Sequence, residues 1–177
     1  LKPILALDIG FAHTGWVTFK GGTPIDAGAI HTTKSDKKQK IRASDDHVRR
    51  CGEMFTSITD LVARYDIAGL LVELPHSGGK SSTAIAAMAR AQAIAACVAE
   101  AMELPVEWLQ PSAVKRATTG TLTATKEQVQ AAVLKRWPSG VLADASKGTK
   151  KNWEHIADAA MTYVAAEGSN LVRMLNR

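Results

Sequence analysis

Residues 3–9, PILALDI, are apolar at every position except one, Asp8, which stands next to the end of the run. Side chains on a strand alternate between faces, so a run apolar at both parities reads as a strand buried on both faces, with helices above and below its sheet. A lone carboxylate beside such a core is costly unless something cationic compensates it. The next residues narrow the fold further. Gly10 and Gly15 bracket a short polar turn, GWVTFK (15–20) reads as a second strand, and Gly21-Gly22 turns the chain into a third strand at about 25–32. The chain thus opens as a three-strand antiparallel meander whose first strand ends on an acid.

The rest of the chain supplies crossovers. KSDKKQKIR (34–42) is basic and lacks an apolar period, which predicts a solvated loop. Val48, Cys51, Met54, Phe55, Ile58, Leu61, Val62 and Tyr65 recur at helical spacing and predict a helix over 46–65. IAGLLVEL (67–74) is a short apolar strand that again ends near a carboxylate, Glu73. A Gly/Ser turn, an Ala-rich helix over about 82–102, a strand at 106–110 and a short helix ending at Gly120 follow. Thr125 and Gln128 fit a capping box that opens the helix KEQVQAAVLKRW. A loop through DASKGTKKN then leads into a final helix, WEHIADAAMTYVAA. The expectation is an α/β fold, a mixed five-stranded sheet flanked by helices. With 177 residues and 46% hydrophobic content, the chain is expected to be one domain over 1–177.

No run of 18 apolar residues and no signal-peptide pattern occurs, so a soluble chain with no membrane partner is expected. Cys51 and Cys97 lie in helix-like apolar patterns and make no metal motif; buried free thiols of a reducing compartment are expected. The net charge of +5 fits an acidic partner without specifying one.

Three carboxylates and a histidine carry the chemistry. Asp8 and Glu73 end strands, where open α/β sheets gather their ligands. His155 and Asp158 are i and i+3 on one helix and so point to the same side. Such a set repels itself unless metal is present, and several carboxylate oxygens suit Mg²⁺ or Mn²⁺. Two ions about 3.5–4 Å apart would activate water and steady the leaving oxygen in phosphodiester cleavage. Taken singly, each residue has a plainer reading: Asp8 a turn former, Glu73 a solvated strand end, His155 and Asp158 an exposed helix edge. Together, in this chain order, they point to catalysis.

LALDIGFAHTGW, LLVELP, the stretch 90–120, TKEQVQAAV and HIADAAMTY, in this order along nearly the whole chain, resemble the RuvC-type Holliday junction resolvases of the RNase H-like superfamily. The resemblance implies a five-stranded RNase H-like sheet, a homodimer, divalent metal, and paired symmetric incisions across a four-way DNA junction leaving 5′-phosphate and 3′-hydroxyl ends. By position, Asp8, Glu73 and Asp158 match three acidic ligands of the family. His155 falls where members carry aspartate or histidine, as ligand or as the group that positions water. Lys115 and Lys126 match two lysines that handle DNA near the site. One departure follows Glu73: many bacterial members carry a phenylalanine wedge there, whereas this chain reads His76-Ser77-Gly78-Gly79-Lys80, leaving any stacking to His76. In that respect it is more similar to viral or organellar branches. The resemblance places the protein in bacterial or phage cytoplasm, on the nucleoid, or in an organelle.

Lys80, Lys115, Lys126 and the KGTKK block, Lys147, Lys150 and Lys151, are candidates for a surface that tracks DNA phosphates, as is the 34–42 segment. GGKSS is no phosphate-binding P-loop, because the glycine needed five residues before Gly79 is Leu74. Two other functions compete. A non-catalytic branched-DNA-binding module would not need every acidic position. An actin-like ATPase or sugar-kinase domain shares the DIG turn but requires a second such half, which the chain lacks.

Overall fold

The computed structural model of the chain describes residues 1–74 and 81–177. β1 (Ile4–Asp8), β2 (His13–Lys20) and β3 (Thr23–His31) form the antiparallel meander, while β4 (Leu70–Glu73) and β5 (Val106–Leu109) join in parallel. The strand order is β3-β2-β1-β4-β5. β1 is therefore central, which is why it is apolar at both parities. Gly21 and Gly22 take φ of +57° and +82°, the two left-handed positions of a tight hairpin turn. Beyond that turn the β2–β3 register shifts between Thr18 and Phe19.

Neighbouring residues of β1 feed two separate cores. Leu5 and Leu7, with Leu70 and Val72 of β4, pack under α1 (Ala43–Tyr65) and α2 (Ser82–Ala101). Ile4 and Ala6, with Val17, Phe19 and Leu71, face the opposite layer. That layer holds α3 (Pro111–Thr119), α4 (Lys126–Arg136), α5 (Val141–Ala145), α6 (Lys150–Ala166) and α7 (Asn170–Leu175). The result is helices on both faces of one mixed sheet, the architecture expected.

α6 is the helix that matters for the site. Ala157, Ala159 and Ala160 have no exposed surface, and their small side chains let the helix lie close to the sheet. The approach is closest at Gly15 of β2, where an added Cβ would stand 2.0 Å from the His155 carbonyl oxygen. Only glycine lets α6 bring His155 this near to β1 and β2.

Several expectations change in detail. β2 begins at His13 rather than at 15, and the capping box of α4 forms as expected. α5 and α7 are additional helices of 5 and 6 residues, too short to show a clear apolar period. The cysteines depart from the expectation of burial: Cys51 is half-buried and Cys97 exposed. Both line an open apolar groove between α1 and α2 instead of the core beneath it. Among the described residues, α2 alone is long and apolar enough to cross a membrane, with mean hydropathy 1.4. In this fold its Ala91, Ile94, Ala95, Val98 and Ala99 are buried against the sheet layer.

Candidate active site

Parallel pairing sets the first two carboxylates side by side. Asp8 and Glu73 are register partners at the carboxyl ends of β1 and β4. α6 crosses these strand ends and contributes His155 and Asp158, so all four side chains line one cavity of about 260 Å³. Its walls also carry Lys115 from α3, Lys126 from α4 and Glu154 from α6.

The turn after Asp8 is held firmly. Gly10 donates its N–H to Thr14 Oγ1 at 3.4 Å, and that hydroxyl donates to the Gly10 carbonyl at 2.9 Å. The buried Arg50 guanidinium lies 4.3 Å from the Phe11 ring centre and donates to the Phe11 carbonyl and to Thr32 Oγ1. These bonds tie the β1–β2 turn to α1, so the backbone beside Asp8 has little freedom.

Charge in the cavity is unbalanced. Partial burial, then the neighbouring Asp8 and Asp158 carboxylates, push Glu73 up to about 8, with Lys115 opposing. Burial and Asp8 likewise raise Asp158 to about 7, against His155, Lys126 and Lys115. The two lysines thus offset only part of the mutual repulsion. His155 Nδ1 sits 2.7 Å from Asp8 Oδ2, and both side chains are 24% exposed. Lys126 pairs with Glu154 across the cavity mouth.

Hard carboxylate oxygens crowded together without enough fixed positive charge are the donor set that Mg²⁺ or Mn²⁺ takes, so these residues fit a divalent ion. Among the described residues, no three His, Cys, Asp or Glu side chains are already gathered as a closed ligand group. One Asp8 oxygen faces His155 instead.

The other candidates are dispersed. Lys115 and Lys126 reach the cavity. Lys150 and Lys151 stand in the first turn of α6, exposed, and Lys151 is near enough to His13 to affect its charge. Lys147 is 74% exposed and paired to Asp144 at 2.7 Å, on the surface rather than in the cavity. The basic loop at 34–42 is anchored by Ser35, whose N–H and hydroxyl donate to Asp46 Oδ1 of α1 at 2.8 and 2.6 Å. His76 and Lys80 lie outside the described residues.

Two features were not singled out in the sequence. Glu154 precedes Asp158 by one helical turn, a spacing that places it on the same side. His13 and His31, at the ends of β2 and β3, meet across the strands beside His155.

A five-stranded mixed sheet thus delivers acids from β1, β4 and α6 to one cavity, the donor set of a hydrolase that works with a divalent ion. The chain belongs to the RuvC family: the family model described as "Crossover junction endodeoxyribonuclease RuvC" matches residues 4–160. A protein of that description from Solidesulfovibrio magneticus is 32% identical over 131 residues, covering 71% of this chain and 71% of its own. One from Salinibacter ruber is 29% identical over 126 residues, covering 71% of this chain and 67% of its own. In structure, the chain is similar to Thermus thermophilus RuvC solved with a Holliday junction substrate, with a TM-score of 0.69 and 17% identity, covering 99% of this chain and 98% of that one. The yeast mitochondrial Holliday junction resolvase Ydc2 also matches, with a TM-score of 0.62 and 9% identity over 97% of this chain and 83% of that one.

Proposed function

We propose that the chain resolves four-way DNA junctions by paired symmetric nicks that leave 5′-phosphate and 3′-hydroxyl ends. The observation that carries this reading is the convergence of Asp8, Glu73 and Asp158 on one cavity, in a member of the RuvC family. Asp8, Glu73 and Asp158 would hold Mg²⁺ or Mn²⁺, two ions per site. His155, now against Asp8, would turn to become a ligand or position the water. Ions bound there would activate that water and stabilise the leaving oxygen.

The chain's own groups do the rest. Backbone pairing of β1 with β4 sets Asp8 and Glu73 side by side at the carboxyl ends of their strands. Lys115 and Lys126 supply fixed positive charge at the cavity wall and would meet the phosphates flanking the cut. Lys150 and Lys151, with the 34–42 loop, would carry the arms of the junction by sequence-independent contacts. A homodimer would match the near two-fold symmetry of a four-way junction and give one nick per subunit. The work would be done on the nucleoid in a bacterial or phage setting, as the bacterial origin of the matched relatives supports.

The test is incubation with labelled four-way, Y-shaped and linear DNA, with and without Mg²⁺ or Mn²⁺. Symmetric nicking restricted to the four-way form and to metal-containing reactions is expected. Equal digestion of linear DNA would make the protein a general nuclease instead.

A further inference from the structure

His13 and His31 are directly opposed residues of β2 and β3, and their Nδ1 atoms approach to 2.6 Å. Their rings meet edge to face, with centres 4.8 Å apart. On its other side His13 stacks nearly flat on His155, at 5.7 Å and 15°. Neither His13 nor His31 lines the carboxylate cavity, and His31 is exposed, so an ion has a direct path to the pair. Two imidazole lone pairs facing each other repel; a proton or a metal ion must lie between them.

At 2.6 Å the two nitrogens share a hydrogen bond, and a metal ion can replace its proton if the rings part slightly. Zn–N bonds of about 2.0–2.1 Å at a tetrahedral angle need nitrogens roughly 3.3 Å apart. The rings would open by less than about 1 Å to admit the ion, a small movement at solvent-facing strand ends. Imidazole suits borderline first-row ions such as Zn²⁺ and Cu²⁺, whereas Mg²⁺ prefers oxygen. Water would complete the coordination shell.

We propose that His13 and His31 form a bidentate site for a first-row transition-metal ion, separate from the carboxylate cavity and touching it through the His13–His155 stack. The site follows from the register shift in the β2–β3 hairpin, which brings these two residues opposite each other. It does not depend on the nuclease reading.

Zn²⁺ titration by calorimetry tests this on untagged protein in excess Mg²⁺, which keeps the carboxylates occupied. Cys51 and Cys97, both lining the open groove, are changed to serine throughout, since a thiol also takes Zn²⁺. One Zn²⁺ site is expected, at least tenfold weaker in both His31→Gln and His13→Gln, and unchanged in Asp8→Asn. Bound Cu²⁺ should show hyperfine splitting from two imidazole nitrogens in the parent and from at most one in either histidine variant. Equal Zn²⁺ affinity in the parent and His31→Gln would overturn the proposal. So would a site lost in Asp8→Asn but kept in the histidine variants, leaving His13 and His31 as a hydrogen-bonded pair only.

Discussion

A carboxyl held at about 8, as Glu73 is, keeps its proton in the folded chain at pH values where the unfolded chain has released it. Asp158, at about 7, behaves the same way over a narrower range. Between the ordinary value of 4.5 and about 8 the folded state therefore binds more protons, and stability falls as pH rises. In chelator-treated buffer at pH 8, Glu73→Gln should be more stable than the parent by about 1–2 kcal/mol in urea unfolding, with the gap closing below pH 4.5. A pH-independent difference would mean that ionising the buried Glu73 carboxyl is not the cause. Added Mg²⁺ should reverse the order, stabilising the parent and not the variant, because a ligand that binds only the folded state raises its stability. Glu154 allows a second check. Its pairing occupies Lys126, so Glu154→Gln should free the ammonium and tighten junction binding by a few fold at low salt, read by gel shift. Unchanged affinity would mean that Lys126 meets no phosphate. Asp8, Glu73, His155 and Asp158 were legible because strand ends and an i, i+3 step are local patterns. Glu154 obeys the same rule, but a single glutamate on a helix reads as solvated surface until its helix is docked.

At the scale of elements, the site depends on how closely α6 lies against the sheet. Gly15→Ala would set a methyl against the His155 carbonyl and force α6 outward. Loss of about 1–3 kcal/mol of stability is expected, with cleavage falling further than binding, since His155 and Asp158 travel with the helix. An active variant of parent stability would show that α6 adjusts freely. Periodicity revealed α1, which buries a sustained apolar stripe, while α2 was legible from its alanine content and α4 from its capping box. The ends of these elements were less legible: α6 begins at Lys150, earlier than its apolar pattern, on a cap from the Thr149 side chain. The His13–His31 pairing was hidden for a different reason. Counting back from Gly21-Gly22 without the shift at Thr18/Phe19 leaves His13 facing Ile30, and nothing in the residues announces that shift.

For the whole molecule, basic groups near the cavity and along the 34–42 loop should make junction binding fall steeply with salt. Removing a lysine that meets a phosphate should lower the slope of log affinity against log salt by about 0.9. Lys126→Ala, in the cavity wall, is expected to do so, while Lys147→Ala, on the surface away from the cavity, should change it little. Equal effects of the two would mean that position relative to the cavity is irrelevant. The meander, the crossovers and the mixed sheet were readable from the order of apolar runs, because strand pairing between chain neighbours follows from short turns. The burial of Cys51 and Cys97 was misread, since an apolar stripe does not say whether another helix closes over it. The proposed chemistry needs three acids, distant in the chain, to act as one metal-binding group. Its most direct test measures Mg²⁺-dependent nicking of a four-way junction beside gel-shift affinity for the same DNA, in the parent, Asp8→Asn, Glu73→Gln and Asp158→Asn. Each variant should bind within a few fold of the parent and nick at least about a hundredfold more slowly. A variant that still nicks at close to the parental rate would place the chemistry elsewhere and contradict the account.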